Sequence, residues 1–225
     1  MSPEELDKII EKHGEDKLHI LEVPTNDKHS DFKECLAVQP DRAVFGQYMK
    51  FQSVDPDKAD EILVNSCLLE NKELVKADDF MFLTTVALIS RLIPLSQGKV
   101  KPFTATEEND KALIGEYGKD RLRILEVPKD ENENEHHQIK CIVPSRTVVG
   151  QFRKFQDSNP VKAQNYLLKG CLKSHLEVVL ADDFLFNTTV STVSELLPIG
   201  EGRIKKFSRV VKDSTTKTKK TTSGK

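Results

Sequence analysis

The side chains best suited to chemistry are two adjacent carboxylate pairs, Asp78-Asp79 and Asp182-Asp183. Neighbouring carboxylates can hold a hard cation, but calcium or magnesium needs several more oxygen ligands, and no D-x-D-x-D-G loop surrounds either pair. Each pair stands directly before an apolar helical run, where a carboxylate caps the free amides of a first turn, and capping is the reading taken here. The six histidines, His13, His19, His29, His136, His137 and His175, include no H-x-x-x-H or Cys-His zinc spacing. His136-His137 falls in a charged connector and reads as solvent-exposed. Gly200-Glu201-Gly202-Arg203 resembles a fragment of a phosphate loop, yet its counterpart Ser96-Gln97-Gly98-Lys99 reads more simply as a turn. No G-x-S-x-G motif occurs, and no Cys recurs with a paired His. The reading is therefore a non-enzymatic protein with no catalytic, cofactor-binding or metal-ligating residue assigned.

The same carboxylate pairs expose the organisation of the chain. Ala77-Asp78-Asp79-Phe80-Met81-Phe82-Leu83-Thr84-Thr85-Val86 returns 104 residues later as Ala181-Asp182-Asp183-Phe184-Leu185-Phe186-Asn187-Thr188-Thr189-Val190. The offset also pairs Pro94 with Pro198 and holds without a gap from Gly14 to Phe103. One unit is written twice, so the expected division is a first repeat over 1–103, a second over 104–207 and a basic tail over 208–225. Because duplicated genes commonly fuse what was a symmetric dimer, a pseudo-two-fold arrangement of the repeats is expected.

Composition narrows the class. The 225 residues suffice for two modest domains, with 37% apolar and 31% charged side chains and a formal charge of −2. From Ser208 onward six Lys/Arg face one acid, so the end is about +5 and the body about −7. An acidic body speaks against nucleic-acid recognition by the repeats. The tail could touch phosphates nonspecifically, but it has no aromatic to stack on bases and too few apolar residues to order itself. The start Met1-Ser2-Pro3-Glu4-Glu5 does not read as a secretory signal, and no apolar run reaches the roughly 20 residues of a membrane helix. Four cysteines lack C-x-x-C spacing and read as buried free thiols of a reducing compartment.

These elements must position whatever surface the protein uses. Ser2-Pro3-Glu4-Glu5 starts a helix that Gly14 ends. Leu18 to Pro24 and Leu122 to Pro128 read as strands. Connectors over Thr25 to Asp31 and Lys129 to His137 lead to return strands closed by Pro40 and Pro144. Helices follow from Arg42 and Arg146, from Asp55-Pro56 and Asn159-Pro160, and after the two Asp pairs. The expected fold class is α+β: two tandem α-β-β-α-α-α units, each a β-hairpin with helices packed on it.

Positions kept in both repeats report what the unit requires. They include Arg42/Arg146, Gly46/Gly150, Phe51/Phe155, Phe80/Phe184 and Phe82/Phe186; the two glycines suggest close helix packing. Positions that differ lean one way. Repeat one has Met49, Leu69, Leu83, Ala87 and Leu88 where repeat two has Arg153, Lys173, Asn187, Ser191 and Thr192. A site that accepts a polar residue in one copy is expected near solvent, so its apolar twin becomes a partner-binding candidate. The five candidates are Met49, Leu69, Leu83, Ala87 and Leu88, with the helix from Asp79 to Ile93 expected to lie against a partner or the other repeat.

The pattern Pro40-Asp41-Arg42, then Asp55-Pro56 with Ala59, Leu63 and Cys67, then Asp78-Asp79 with Phe82, Leu92 and Ile93 resembles small phage tail assembly chaperone-like proteins. Repeat two matches through Pro144-Ser145-Arg146, Asn159-Pro160 with Ala163, Leu167 and Cys171, and Asp182-Asp183 with Phe186, Leu196 and Leu197. The resemblance covers about 90 residues of each copy, whereas the family carries roughly one copy per chain. It implies a non-enzymatic morphogenesis protein in the cytoplasm of an infected bacterium, without cofactor, binding a viral protein such as the helical tape-measure protein. Two other readings stand beside it: a structural or cargo component of a crAss-like phage virion, and a nucleic-acid-binding accessory protein using the tail.

Overall fold

The computed structural model describes residues 2–26, 28 and 30–197. The tail over 208–225 and the Gly200 turn lie outside the described residues. Repeat one runs α1 (Pro3–His13), β1 (Leu18–Pro24), β2 (Phe32–Val38), α2 (Arg42–Gln52), α3 (Pro56–Cys67), α4 (Lys72–Lys76) and α5 (Asp79–Ser90). A strand β3 (Lys99–Pro102) follows. Repeat two runs α6 (Asn109–Tyr117), β4 (Leu122–Pro128), β5 (His136–Ile142), α7 (Arg146–Gln156), α8 (Pro160–Cys171), α9 (Leu176–Ala181) and α10 (Asp183–Ser194). The fold is α+β, and from β1 to α3 and again at α5 the bounds recur at the 104-residue offset.

Local chemistry explains the boundaries. Ser2 and Glu5 close a reciprocal capping box ahead of Pro3. Asp55 and Asn159 cap α3 and α8, each with Pro in the first turn. Gly14 and Gly118 end α1 and α6 at φ 84° and 78°, a backbone region glycine enters without strain. The hairpins pair antiparallel, Leu18 with Val38 and Leu122 with Ile142 at their open ends. One face of each is buried under helices: Leu21, Val23 and Cys35 pack with Leu63, Val64, Met81 and Ile89. Leu125, Val127 and Ile139 pack likewise with Leu167, Leu168, Phe186 and Val193.

The structure adds to and corrects the expected unit. Short helices α4 and α9 precede the two Asp pairs, entered through Asn71 and His175 at φ near 60°. The second connector is shorter than expected, because His136 and His137 belong to β5; the His137 ring is half-buried, its centroid 5.3 Å from that of His175. Helix α6 starts later than Thr106. The reason is Asp110, whose buried carboxylate accepts the Thr106 and Glu107 amides and pairs with Lys140 at 2.7 Å. Strand β3 crosses from the end of repeat one to pair with β4, which makes the second sheet three-stranded, order β3-β4-β5. The first sheet has two strands among the described residues.

The expected pseudo-two-fold arrangement is not what the contacts describe. A two-fold interface uses the same patch from both sides. Here α2 of repeat one packs on α8 of repeat two, with Gly46 buried against Val161, so that a Cβ at Gly46 would lie 2.5 Å from Val161 Cγ2. The equivalent Gly150 faces open space. Arg42 is half-buried against repeat two, whereas Arg146 is exposed. The repeats are joined head to tail, through different surfaces.

Candidate interaction surface

The junction between repeats is built on Arg42, at the start of α2. Its Nε donates to Asp183 Oδ1 at 3.0 Å and its backbone N–H donates to Asp183 Oδ2 at 3.2 Å. Nη2 pairs with Asp183 at 3.0 Å and donates to the Leu180 carbonyl at 3.1 Å. The guanidinium carbon lies 3.8 Å from the centre of the Phe186 ring. Planar forked donors suit this combination of carboxylate, carbonyl and ring face, which an ammonium could not satisfy at once. The Asp pairs thus divide the work. Asp78 and Asp182 cap their helices by accepting the Met81 and Leu185 amides, while Asp183 is turned to the other repeat.

A second part of the junction is the segment that leaves α5. The Asn187 amide donates to the Pro94 carbonyl at 3.2 Å, and the Ser96 N–H donates to Thr188 Oγ1 at 3.0 Å. Gly98 passes against Thr192 so closely that a side chain there would collide with it. β3 then pairs with β4, where Lys101 and Glu126 approach to 2.7 Å and hold the Glu126 carboxyl below its ordinary range. Phe103 completes a small core with Leu122 and Ile142 that α6 covers through Leu113, Ile114 and Tyr117.

This arrangement corrects the reasoning behind the partner candidates. Asn187 and Thr192 are not near solvent; they are 3% and 1% exposed, buried under the segment from repeat one. They are polar because they bond or abut backbone there. Among the described residues no segment covers the matching face of α5 in this way. Leu83 is 60% exposed, Ala87 is exposed, and Phe80 is more exposed than its twin Phe184. Leu88 is half-buried and, with Leu69, packs against the core of repeat one, so neither is a free surface residue. Met49 is exposed on α2, in the cleft with Phe152, Pro160 and Ala163, away from α5. The structure therefore brings Leu83 and Ala87 together and separates Met49 and Leu69 from them.

Sequence reasoning took Asp79 only as a helix cap and Ile20 only as a strand residue, and both are exposed in repeat one. The signal was present in the retention of Arg and Asp in both copies, since a buried pair in one repeat has an identical unspent pair in the other. Phe51 and Phe155, kept in both repeats, are half-buried under Lys58 and Lys162, whose ammonium groups lie 4.0 and 4.2 Å from the ring centres.

Among the described residues no group of three or more His, Cys, Asp or Glu could hold a metal ion, and no helix is long and apolar enough to cross a membrane. All four cysteines are free and buried. Burial pushes the Cys67, Cys141 and Cys171 thiols up to about 12, so they stay protonated and poorly nucleophilic at neutral pH. Compared with protein-family models, with curated proteins and with solved structures, the chain matches none of them.

Proposed function

We propose that the protein is a non-enzymatic assembly factor that works by presenting the outer face of α5 to another polypeptide, in the manner of the phage tail assembly chaperone-like proteins whose motifs it resembles. One observation supports this reading above others. On α10, Asn187, Thr188 and Thr192 are buried under elements of the preceding repeat, although Ser191 is exposed, while on α5 Leu83, the twin of Asn187, is left 60% exposed. Bare apolar surface of this kind is stabilised by contact, at about 25 cal/mol for each Å² removed from water. A helix with Leu and Phe on its outer side suits a protein partner better than a small polar ligand.

The test transfers the repeat-two residues to the exposed positions. Leu83→Asn with Ala87→Ser should leave the circular dichroism spectrum and melting temperature nearly unchanged, because neither side chain is in the core. Co-purification of the viral partner from infected cells should fall several-fold. Undiminished co-purification with the variant would overturn the reading.

A further inference from the structure

We infer that the polypeptide docking on the bare face of repeat one is repeat two of a second copy of this chain, so that the protein assembles head to tail. This rests on the reading of α5 as a docking face and names its partner.

The internal junction defines a plug and a socket. The plug is Arg42 with Gly46 on α2, followed by residues 94–103. The socket is Asp183, the Leu180 carbonyl and the Phe186 ring, with the edge of β4 beside them. Among the described residues, each chain holds a second Arg and Gly of the plug and a second socket with no such contact. Repeat two carries the second plug: Arg146 is exposed on α7, and Gly150 has nothing near it. In sequence, residues 198–207 repeat residues 94–103, with Pro198 for Pro94, Gly202 for Gly98, Ile204 for Val100 and Phe207 for Phe103. Repeat one carries the second socket: Asp79 is exposed at the start of α5, and Phe82 is only half-buried where Phe186 is fully buried.

The first sheet is incomplete where the second is complete. β4 has β3 on its outer side, and β1 has no strand there among the described residues. Ile20 on β1 is 60% exposed, whereas its twin Ile124 is sheltered in the core that Phe103 completes.

Differences between the repeats fit the same junction. Inside the chain Met49 lines the α2–α8 cleft and Val161 packs on Gly46, both apolar positions at this junction. Between chains those positions are Arg153 and Asp57, both exposed and opposite in charge. Leu83 stands where Asn187 donates to the Pro94 carbonyl, so an exposed apolar side chain takes the place of a hydrogen-bonding one. Two peripheral internal contacts, Gln39 with Glu131 and Ser96 with Glu133, have no equivalent side-chain pair between chains. The external junction is consequently weaker than the internal one. An interface between unlike surfaces does not close after two subunits, so it builds an open filament or a ring.

The experiment is the mass of the full chain in solution by light scattering and sedimentation velocity across a concentration series. Wild type should grow in whole multiples of the chain mass. Arg146→Glu and Asp79→Ala should each hold the protein at one chain, with unchanged circular dichroism, since both side chains are exposed. An equimolar mixture of these two variants should stop at two chains, because only one intact plug and one intact socket remain. Arg146→Glu with Asp79→Arg in the same chain should restore growth by exchanging the charges. A wild-type chain that remains single at all concentrations, or assemblies indifferent to these substitutions, would overturn the inference. If such a single chain still captures a different viral protein through Leu83, the reading of α5 survives and only the self-docking fails.

Discussion

Replacing Arg42 by Ala should destabilise the protein, while the same change at its sequence twin Arg146 should not. Arg42 makes charge-assisted hydrogen bonds to Asp183 and the Leu180 carbonyl and covers the Phe186 ring, with its side chain 18% exposed. Removing a charge-assisted hydrogen bond costs about 1.5–3 kcal/mol, and a largely desolvated cation over a ring contributes about 1–2 kcal/mol. These contributions share one guanidinium and do not add. Asp183 stays partly hydrated, so the cost falls short of the roughly 3–5 kcal/mol of stranding a fully buried charge. A loss of about 2–3 kcal/mol is expected, or roughly 4–12 °C in melting temperature for a chain of this size. Arg146→Ala, measured at concentrations too low for chains to associate, should change stability by no more than about 0.5 kcal/mol. Thermal unfolding followed by far-ultraviolet circular dichroism reads both, and a double-mutant cycle with Asp183→Ala assigns the loss to the pair. Equal shifts for the two arginines would refute the head-to-tail junction.

Other expected outcomes follow from the same asymmetry and from the buried polar groups. Gly46→Ala drives a methyl into Val161 and should cost about 1–2 kcal/mol after its gain in helix propensity. Gly150→Ala meets open space and should stabilise dilute protein by about 0.5–1 kcal/mol, so denaturant midpoints should move in opposite directions. Asp110, whose pairing with Lys140 and the Thr106 and Glu107 amides holds its carboxyl down to about 2, contributes stability that is complete above the unfolded pKa of roughly 4. That contribution should fade as pH drops from about 5 toward 2, and Asp110→Asn should flatten this part of the acid unfolding curve. The four cysteines should resist a maleimide in the native state at pH 7 and react together on unfolding; rapid labelling of folded protein would contradict their burial.

Much of this molecule follows from local sequence. Ser2-Pro3, Asp55-Pro56, Asn159-Pro160, Asp78 and Asp182 set helix starts because capping is a matter of a few adjacent residues, and Gly14 and Gly118 set ends for the same reason. The short apolar stretches Leu18 to Pro24 and Leu122 to Pro128, with return strands closed by Pro40 and Pro144, placed the hairpins. Short helices α4 and α9 escaped notice because five or six residues are too few to show a period.

What sequence could not settle is which copy of each identical residue is used. Arg42 and Arg146, Asp79 and Asp183, Gly46 and Gly150 are indistinguishable as letters, yet one of each pair lies in the junction and the other faces water. The polar Asn187 and Thr192 read as surface because hydrophobicity reports average burial, whereas their burial depends on a carbonyl and a glycine some 90 residues earlier. A residue's type fixes what it can bond. Only the packing of one repeat on the next decides what is there to bond, and it buries Asn187 while its twin Leu83 stays exposed.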